Sequence, residues 1–218
     1  MKANGYLAYH GPSELDGNPI KVIVTGNYRP SANPKTGDML QVWIMPADVK
    51  PSETVKTGQD SSVCGDCPAR PKNGGKCYVN TWQAPNRTWN ASYPNQADNP
   101  RNAPVRLGAW GDPAAIPIGV LKDILGRSPK HTGYTHQWRN NPELAEIVMA
   151  SVDNESEAIE ASELGWRYFR VLHKGDTLGS GEILCPASKE AGKKVTCADC
   201  GLCAGNSRKA KNVAIYQH

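Results

Sequence analysis

The sequence has little net charge and no long apolar run, and both features limit the possible functions. Its 218 residues carry a formal net charge of +4, which permits an anionic partner such as nucleic acid but does not require one. No stretch approaches the roughly 18 apolar residues of a membrane span, and the first residues hold no apolar run of signal-peptide length. We therefore expect a soluble, cytoplasmic protein without a membrane partner.

Phenylalanine is almost absent, and several common catalytic motifs are missing. Phe169 is the single phenylalanine, so six tryptophans and eight tyrosines supply most of the aromatic volume. The sequence has no Walker loop, no Gly-x-Gly-x-x-Gly after a predicted strand and no nucleophile elbow. The chain length suits one sizeable domain, and the abundant glycine and proline predict long ordered loops.

The pattern of predicted elements changes near residue 60. Residues 1–60 predict a β-rich N-terminal region, in which strands at 20–25 and 40–45 pair as a hairpin with a long loop. Residues 61–218 predict an α/β core with a parallel sheet, because strands and helices alternate after residue 105. We expect both parts to form one structural unit. The further strands are predicted at 105–110, 132–136, 146–152, 166–172, 182–184 and 213–216, and the helices at 114–126 and 155–164.

Polar residues follow the predicted parallel strands. In such sheets the active site forms beyond the carboxyl ends of the strands. His136 and Asp153 are therefore candidate catalytic residues, although each alone could be a loop residue, and Asp153 also suits a helix N-cap. The residues at the predicted strand ends are Asp112, His136, Asp153, His173 and Cys185.

The seven cysteines fall into two groups, which we call the trio and the quartet. In a reducing compartment, closely spaced cysteines are more often metal ligands than disulfides, and an odd number argues against a fully paired framework. Thiolate sets suit either zinc or iron–sulfur clusters. The compact Cys-x2-Cys-x2-Cys run favours iron–sulfur, and Zn²⁺ is the alternative. The trio is Cys64, Cys67 and Cys77; the quartet is Cys185, Cys197, Cys200 and Cys203.

The trio offers only three thiolates, so one coordination position is left open. A histidine in that position would give a closed structural zinc site, and the candidates are His10, His136 and His173. An open position would instead serve a substrate or cofactor, as catalytic metal sites require. The sequence does not choose between these two outcomes.

Two side chains that could bind a ligand follow the strand predicted at 132–136. Trp138 could stack on a base or on adenine, and Arg139 could bind a phosphate or a carboxylate. The alternative is a packed tryptophan beside a surface arginine.

The cysteine-rich and glycine-rich segments together resemble radical SAM proteins, and more closely a family of phage and prophage iron–sulfur proteins of radical-SAM-like type. The resemblance implies a partial TIM barrel in which the trio holds a [4Fe–4S] cluster whose remaining iron binds S-adenosylmethionine (SAM). It also implies a second, fully ligated auxiliary cluster at the quartet. The segments that carry the resemblance are 62–68, 77–80, 106–113, 133–139, 149–153, 185–187 and 197–203.

The same resemblance implies a reaction and a cofactor site. SAM would be cleaved to a radical that takes a hydrogen from a nucleic acid, a nucleotide or a peptide. The chain departs from the usual Cys-x3-Cys-x2-Cys, because its trio reads Cys-x2-Cys-x9-Cys, which puts SAM binding in question. The alternative is a non-catalytic phage protein, located in the host cytoplasm, that binds a host or phage macromolecule. Its zinc or iron–sulfur sites would only cross-link the fold. The residues assigned to the cofactor site are Tyr78, Gly108, Gly111, Asp112, Trp138 and Arg139.

Overall fold

The computed structural model describes residues 2–217, which form a mixed α/β fold on two five-stranded sheets. The first sheet consists, in spatial order, of β1 (Gly5–Pro12), β2 (Pro19–Thr25), β3 (Leu40–Pro46), β4 (Val105–Trp110) and β5 (His131–Thr132). The second sheet consists of β6 (Tyr134–Thr135), β7 (Met149–Val152), β8 (Tyr168–Leu172), β10 (Asn212–Tyr216) and β9 (Glu182–Leu184).

The strand directions change across the first sheet. β1–β2 and β2–β3 are antiparallel, whereas β3–β4 and β4–β5 are parallel. All neighbouring pairs recorded in the second sheet are parallel. The α/β class expected from the sequence is therefore confirmed, as is the hairpin of β2 and β3, but the strands after residue 105 divide between the two sheets. The strands of residues 2–217 do not close into a barrel.

Gly133 is the single residue between β5 and β6, so one extended segment supplies a strand to each sheet. A Cβ atom at Gly133 would lie 2.7 Å from a Val148 side-chain atom and 3.0 Å from Cβ of Leu107. Only glycine fits this position without moving its neighbours. The close approach lets the two sheets meet at this segment.

The helices are short, and several begin at proline or at a capping side chain. The Asn154 side chain accepts a hydrogen bond from the Glu157 N–H and caps the longest helix. The expected N-cap at Asp153 is therefore wrong by one residue. The helices are α1 (Pro51–Thr57), α2 (Ser61–Cys64), α3 (Ala84–Asn90), α4 (Ile118–Leu125), α5 (Glu155–Glu163) and α6 (Cys197–Cys200).

Alternation along β7 directs its side chains to two different apolar clusters. Ala150 and Val152 belong to the larger core, which also holds Ala158 and Ala161 of α5. Met149 lies on the opposite face, in a smaller cluster that includes two quartet cysteines. The quartet thus lies on the face of the second sheet that is turned away from α5.

Most predicted elements are confirmed, with shifted ends. The helix predicted at 114–126 begins at Ile118, because residues 113–115 form a 3₁₀ turn. The sequence did not predict β1 or the short helices α1 to α3. Within residues 2–217, no helix has both the length and the apolar character needed to cross a bilayer.

Candidate functional site

The trio comes together at the end of α2, although nine residues separate its last two members. The Cys67 N–H donates to the Cys64 carbonyl over 3.1 Å, which forms a tight turn. Burial raises the pKa of the Cys64 thiol well above its usual value, and the charges of Cys67 and Cys77 raise it further. Burial also raises the pKa of Cys67 to about 12, with a contribution from Cys77. The Gly75 N–H donates to the Arg70 carbonyl at 3.0 Å, which folds the segment before Cys77 back toward the turn of Cys64 and Cys67.

A buried ion pair fixes the turn that carries the trio. The Arg70 guanidinium donates to both carboxylate oxygens of Asp60, at 3.1 and 2.8 Å. It also donates to the carbonyls of Gly65, at 2.6 Å, and Gly58, at 2.8 Å. The Arg70 and Asp60 side chains are only 9% and 2% exposed. The buried Arg70 side chain thus holds residues 58–70 together as one turn.

Further hydrogen bonds attach this turn to both sheets. The Asp112 N–H donates to the carbonyl of Val63, at 2.6 Å, next to the first trio cysteine. The Gln137 amide nitrogen donates to the carbonyl of Cys64 at 3.2 Å. The backbone that presents the trio therefore has a defined position relative to β4 and β6.

The Asp112 carboxylate organises the strand ends. It accepts hydrogen bonds from the Thr135 hydroxyl, at 2.6 Å, and from the N–H groups of His136, at 2.8 Å, and Ala114, at 3.0 Å. Burial raises the pKa of Asp112, and these bonds partly oppose the effect. Three protein donors occupy its oxygens, so Asp112 holds the ends of β4 and β6 together.

His136 and Asp153, the two candidate catalytic residues, are neighbours. Nε2 of His136 lies 3.8 Å from Oδ2 of Asp153, and both side chains are partly exposed. Gln137, the next residue after His136, donates to the Cys64 carbonyl at 3.2 Å, so the pair lies near the segment of the trio.

The other two candidate histidines make different contacts. His10 is exposed on β1, the edge strand of the first sheet. The His173 ring lies 3.0 Å from the side-chain oxygen of Gln217.

Two glycines shape the end of β4. Gly108 and Gly111 have φ values of +69° and +84°, a region that other residues rarely adopt. A Cβ atom on Gly111 would lie 2.4 Å from the carbonyl oxygen of Ile44 on β3. The bare backbone is therefore required for the strands to pack at this edge.

Trp138 does not have the base-stacking role that the sequence suggested. Its ring is 1% exposed, and its Nε1–H donates to the carbonyl of Ser151 at 3.2 Å. The Arg139 guanidinium covers the ring at 4.0 Å and pairs with Glu160 at 2.6 Å. The structure agrees with the alternative that the sequence left open, a packed tryptophan beside a surface arginine that pairs with Glu160.

Tyr78 has a partner that the sequence did not indicate. Its side chain is 80% exposed, and its hydroxyl accepts a hydrogen bond from Arg106 at 2.8 Å. Arg106 lies on β4. Burial raises the pKa of Cys197, and the positive charge of Arg106 partly opposes this rise. Arg106 therefore lies between the trio segment and the quartet. In the sequence, the sign of such a role was that Arg106 is the one charged residue of the otherwise apolar strand β4.

The quartet cysteines also interact with one another. Burial raises the pKa of Cys203 to about 12, the Tyr134 hydroxyl opposes this by donating to its sulfur, and the other three quartet thiols raise it further. Lys35, in the loop before β3, accepts a hydrogen bond at its carbonyl from the Cys197 N–H at 3.0 Å. Burial raises the pKa of Cys185, and the charge of Lys35 partly opposes this rise. The N-terminal region thus forms part of the quartet environment.

The geometry of a single-ion site is not present in the described part of the chain. Among residues 2–217, no three His, Cys, Asp or Glu side chains are arranged to hold one metal ion. A zinc site draws all its sulfurs to about 2.3 Å from one atom, whereas a cluster distributes its cysteines over several irons. Both cysteine groups offer soft thiols, which suit zinc as well as an iron–sulfur cluster.

Comparison of the chain with protein-family models, with curated proteins and with solved structures finds no match. Any functional conclusion must therefore come from the site itself.

Proposed function

We propose that the protein is an iron–sulfur protein with two centres, an open one at the trio and a closed one at the quartet. One observation carries this proposal: the thiols of each group affect one another's pKa values, Cys67 and Cys77 acting on Cys64, and Cys185, Cys197 and Cys200 acting on Cys203. Three thiols suit a cluster with one free iron, and four suit a cluster without one.

The surroundings of the trio favour a catalytic role over a structural staple. Arg70 and the bonds to Val63 and Cys64 already fix the turn, so the three thiols are not needed as a cross-link. The His136–Asp153 pair lies nearby, partly exposed, and is suited to hold or move a proton on a bound substrate. A non-catalytic protein whose metal sites serve only as cross-links would need neither the independently fixed turn nor the His136–Asp153 pair.

We propose SAM as the ligand of the open centre and a radical-SAM-like family of phage proteins as the origin of the chain. A bound cluster would supply one electron to SAM. The finer fold belongs to this proposal: the parallel strands β3 to β8, linked through Gly133, form an open partial barrel. The radical formed by cleavage of SAM would then take a hydrogen from a nucleic acid, a nucleotide or a peptide in the host cytoplasm.

The test is anaerobic purification followed by metal analysis and turnover. We expect brown protein with about eight irons per chain, as two four-iron clusters require. With dithionite as the reductant, added SAM should yield methionine and 5′-deoxyadenosine. Colourless protein that contains zinc would overturn the iron–sulfur proposal and support the stapled alternative. Iron-loaded protein that neither binds nor cleaves SAM would overturn the enzymatic part.

A further inference from the structure

An exposed surface of rings and cations lies beside the trio. We call it the aromatic–cation surface. Its two rings are unusually open, because Tyr78 is 80% and Trp82 is 60% exposed. Large aromatic side chains that remain in water lose the free energy of burial, so two in one segment indicate a binding surface. The surface consists of Lys56, Lys72, Lys76, Tyr78 and Trp82.

One cation covers the tryptophan ring, and a second lies at the same end of α1. Nζ of Lys56, near the end of α1, lies 4.7 Å from the centre of the Trp82 ring. The Lys72 side chain lies at the same end of α1, since a Cβ on Gly58 would be 3.3 Å from its Cγ. Glu53 pairs with Lys56 at 3.6 Å, but both side chains are largely exposed, so this pair is weak.

The local charge is positive over a long segment. Residues 67–97 contain no aspartate or glutamate, while Lys72, Lys76 and Arg87 in this segment are all exposed. The remaining cation, Arg70, is buried against Asp60. The exposed part of this segment therefore attracts anions and has no acidic group of its own to repel them.

Tyr78 connects this surface to the trio. It follows Cys77 directly in the chain, and Arg106 holds its hydroxyl at 2.8 Å while the ring stays open to solvent. A planar group stacked on this ring would therefore lie next to the open centre.

We propose that the aromatic–cation surface binds single-stranded nucleic acid. Exposed rings stack on unpaired bases, and the cations between them contact the phosphates. A duplex does not fit this chemistry as well, since its bases are already stacked. An acidic peptide would use the cations but not the rings. The surface also lacks the exposed aliphatic side chains with which a helix enters a lipid bilayer.

This inference goes beyond the proposed function and does not depend on it, because no cysteine sulfur forms part of the surface. If both are correct, the single strand is the substrate. Iron content is measured in every sample, so that loss of binding to single-stranded nucleic acid is distinguished from loss of the metal centres.

The test uses the full chain and fluorescently labelled oligo(dT) and oligo(U) of about 16 nucleotides, the upper range for one binding module. We expect both to bind at low salt and the matching duplex to bind more weakly. Trp82→Ala and Tyr78→Leu should each weaken binding by about 5- to 100-fold. Lys72→Ala should lower the slope of log affinity against log salt by about 0.7.

Tyr28 supplies a matched control. It is 40% exposed, and Nζ of Lys2 lies 5.6 Å from its ring centre, but it belongs to the N-terminal region. Tyr28→Ala should leave affinity unchanged. Circular dichroism and thermal melting check that each variant is folded. The proposal is overturned if wild-type protein binds neither oligonucleotide, if duplex binds equally well, if Tyr28→Ala weakens binding as much as Trp82→Ala, or if only anionic lipid vesicles bind.

Discussion

The Arg106 guanidinium donates to the Tyr78 hydroxyl over 2.8 Å, and the same charge partly opposes the rise that burial causes in the pKa of Cys197. One side chain on β4 therefore contacts the segment of the trio and acts on the quartet. Arg106 therefore links the segment of the trio to the surroundings of the quartet.

Replacing Arg106 by methionine should lower the reduction potential of the quartet centre. Reduction adds negative charge to a cluster, and a nearby cation stabilises that charge. Arg106→Lys keeps the charge and should have a much smaller effect. A redox titration followed by electron paramagnetic resonance measures both. An unchanged potential in Arg106→Met would show that this charge does not act on the centre.

Arg70→Met should destabilise the fold and reduce the iron content at the trio. The change leaves the Asp60 carboxylate buried without its partner, a loss of about 3–5 kcal/mol for pairs of this kind. Chemical denaturation measures the free energy of unfolding. The matched control is Arg139→Met, whose pair with Glu160 is exposed and should contribute about 1 kcal/mol or less. Equal losses in the two variants would contradict the role assigned to Arg70.

Gly111→Ala should destabilise the protein, and Gly119→Ala should stabilise it. At Gly111 the positive φ alone costs about 1–2 kcal/mol, and the new Cβ would approach the Ile44 carbonyl oxygen to 2.4 Å. Gly119 lies in α4, where a methyl group would have no atom within 4 Å, so alanine should add about 0.5–1 kcal/mol. Thermal melting compares them. A stable Gly111→Ala protein would show that this edge is not tightly packed.

Stability should fall in acid partly through Glu182. Burial by itself raises the pKa of Glu182, but hydrogen bonds from Arg170 and the Gly179 N–H outweigh it, so the folded-state pKa is lowered. The stabilisation is therefore present above the unfolded-state pKa of about 4.3 and is lost as pH falls through the folded-state value.

Glu182→Gln should lower the free energy of unfolding at pH 7 and make it less sensitive to pH below about 4.3. Glu160→Gln, at the exposed partner of Arg139, serves as the control and should change the curve far less. Parallel stability curves for wild type and Glu182→Gln across the acid range would refute this account.

The strand ends of the site could be predicted from the sequence, because they depend on local order. Strands that alternate with helices form parallel sheets, and the residues that follow them meet at one edge. His136 and Asp153 were placed together in this way, 3.8 Å apart in the structure. The grouping of the cysteines followed from their spacing alone.

The remaining features depend on contacts between distant parts of the chain. Burial of Trp138 follows from packing against β7, which its neighbours in sequence do not reveal. The pairing of Arg70 with Asp60 spans ten residues without regular periodicity. Lys35 reaches the quartet only because the loop before β3 folds over residues 197–198. The short helices α1 to α3 are too brief to produce a periodic pattern.

The most direct test of the two-centre account is the iron content of variants in which one cysteine group at a time is replaced by serine. Without the trio, the protein should retain about four irons and lose SAM cleavage. Without the quartet, it should also retain about four irons, now at the open centre, and still bind SAM. Loss of all iron from either variant, in protein that remains folded, would contradict the account, because the seven cysteines would then serve one shared centre.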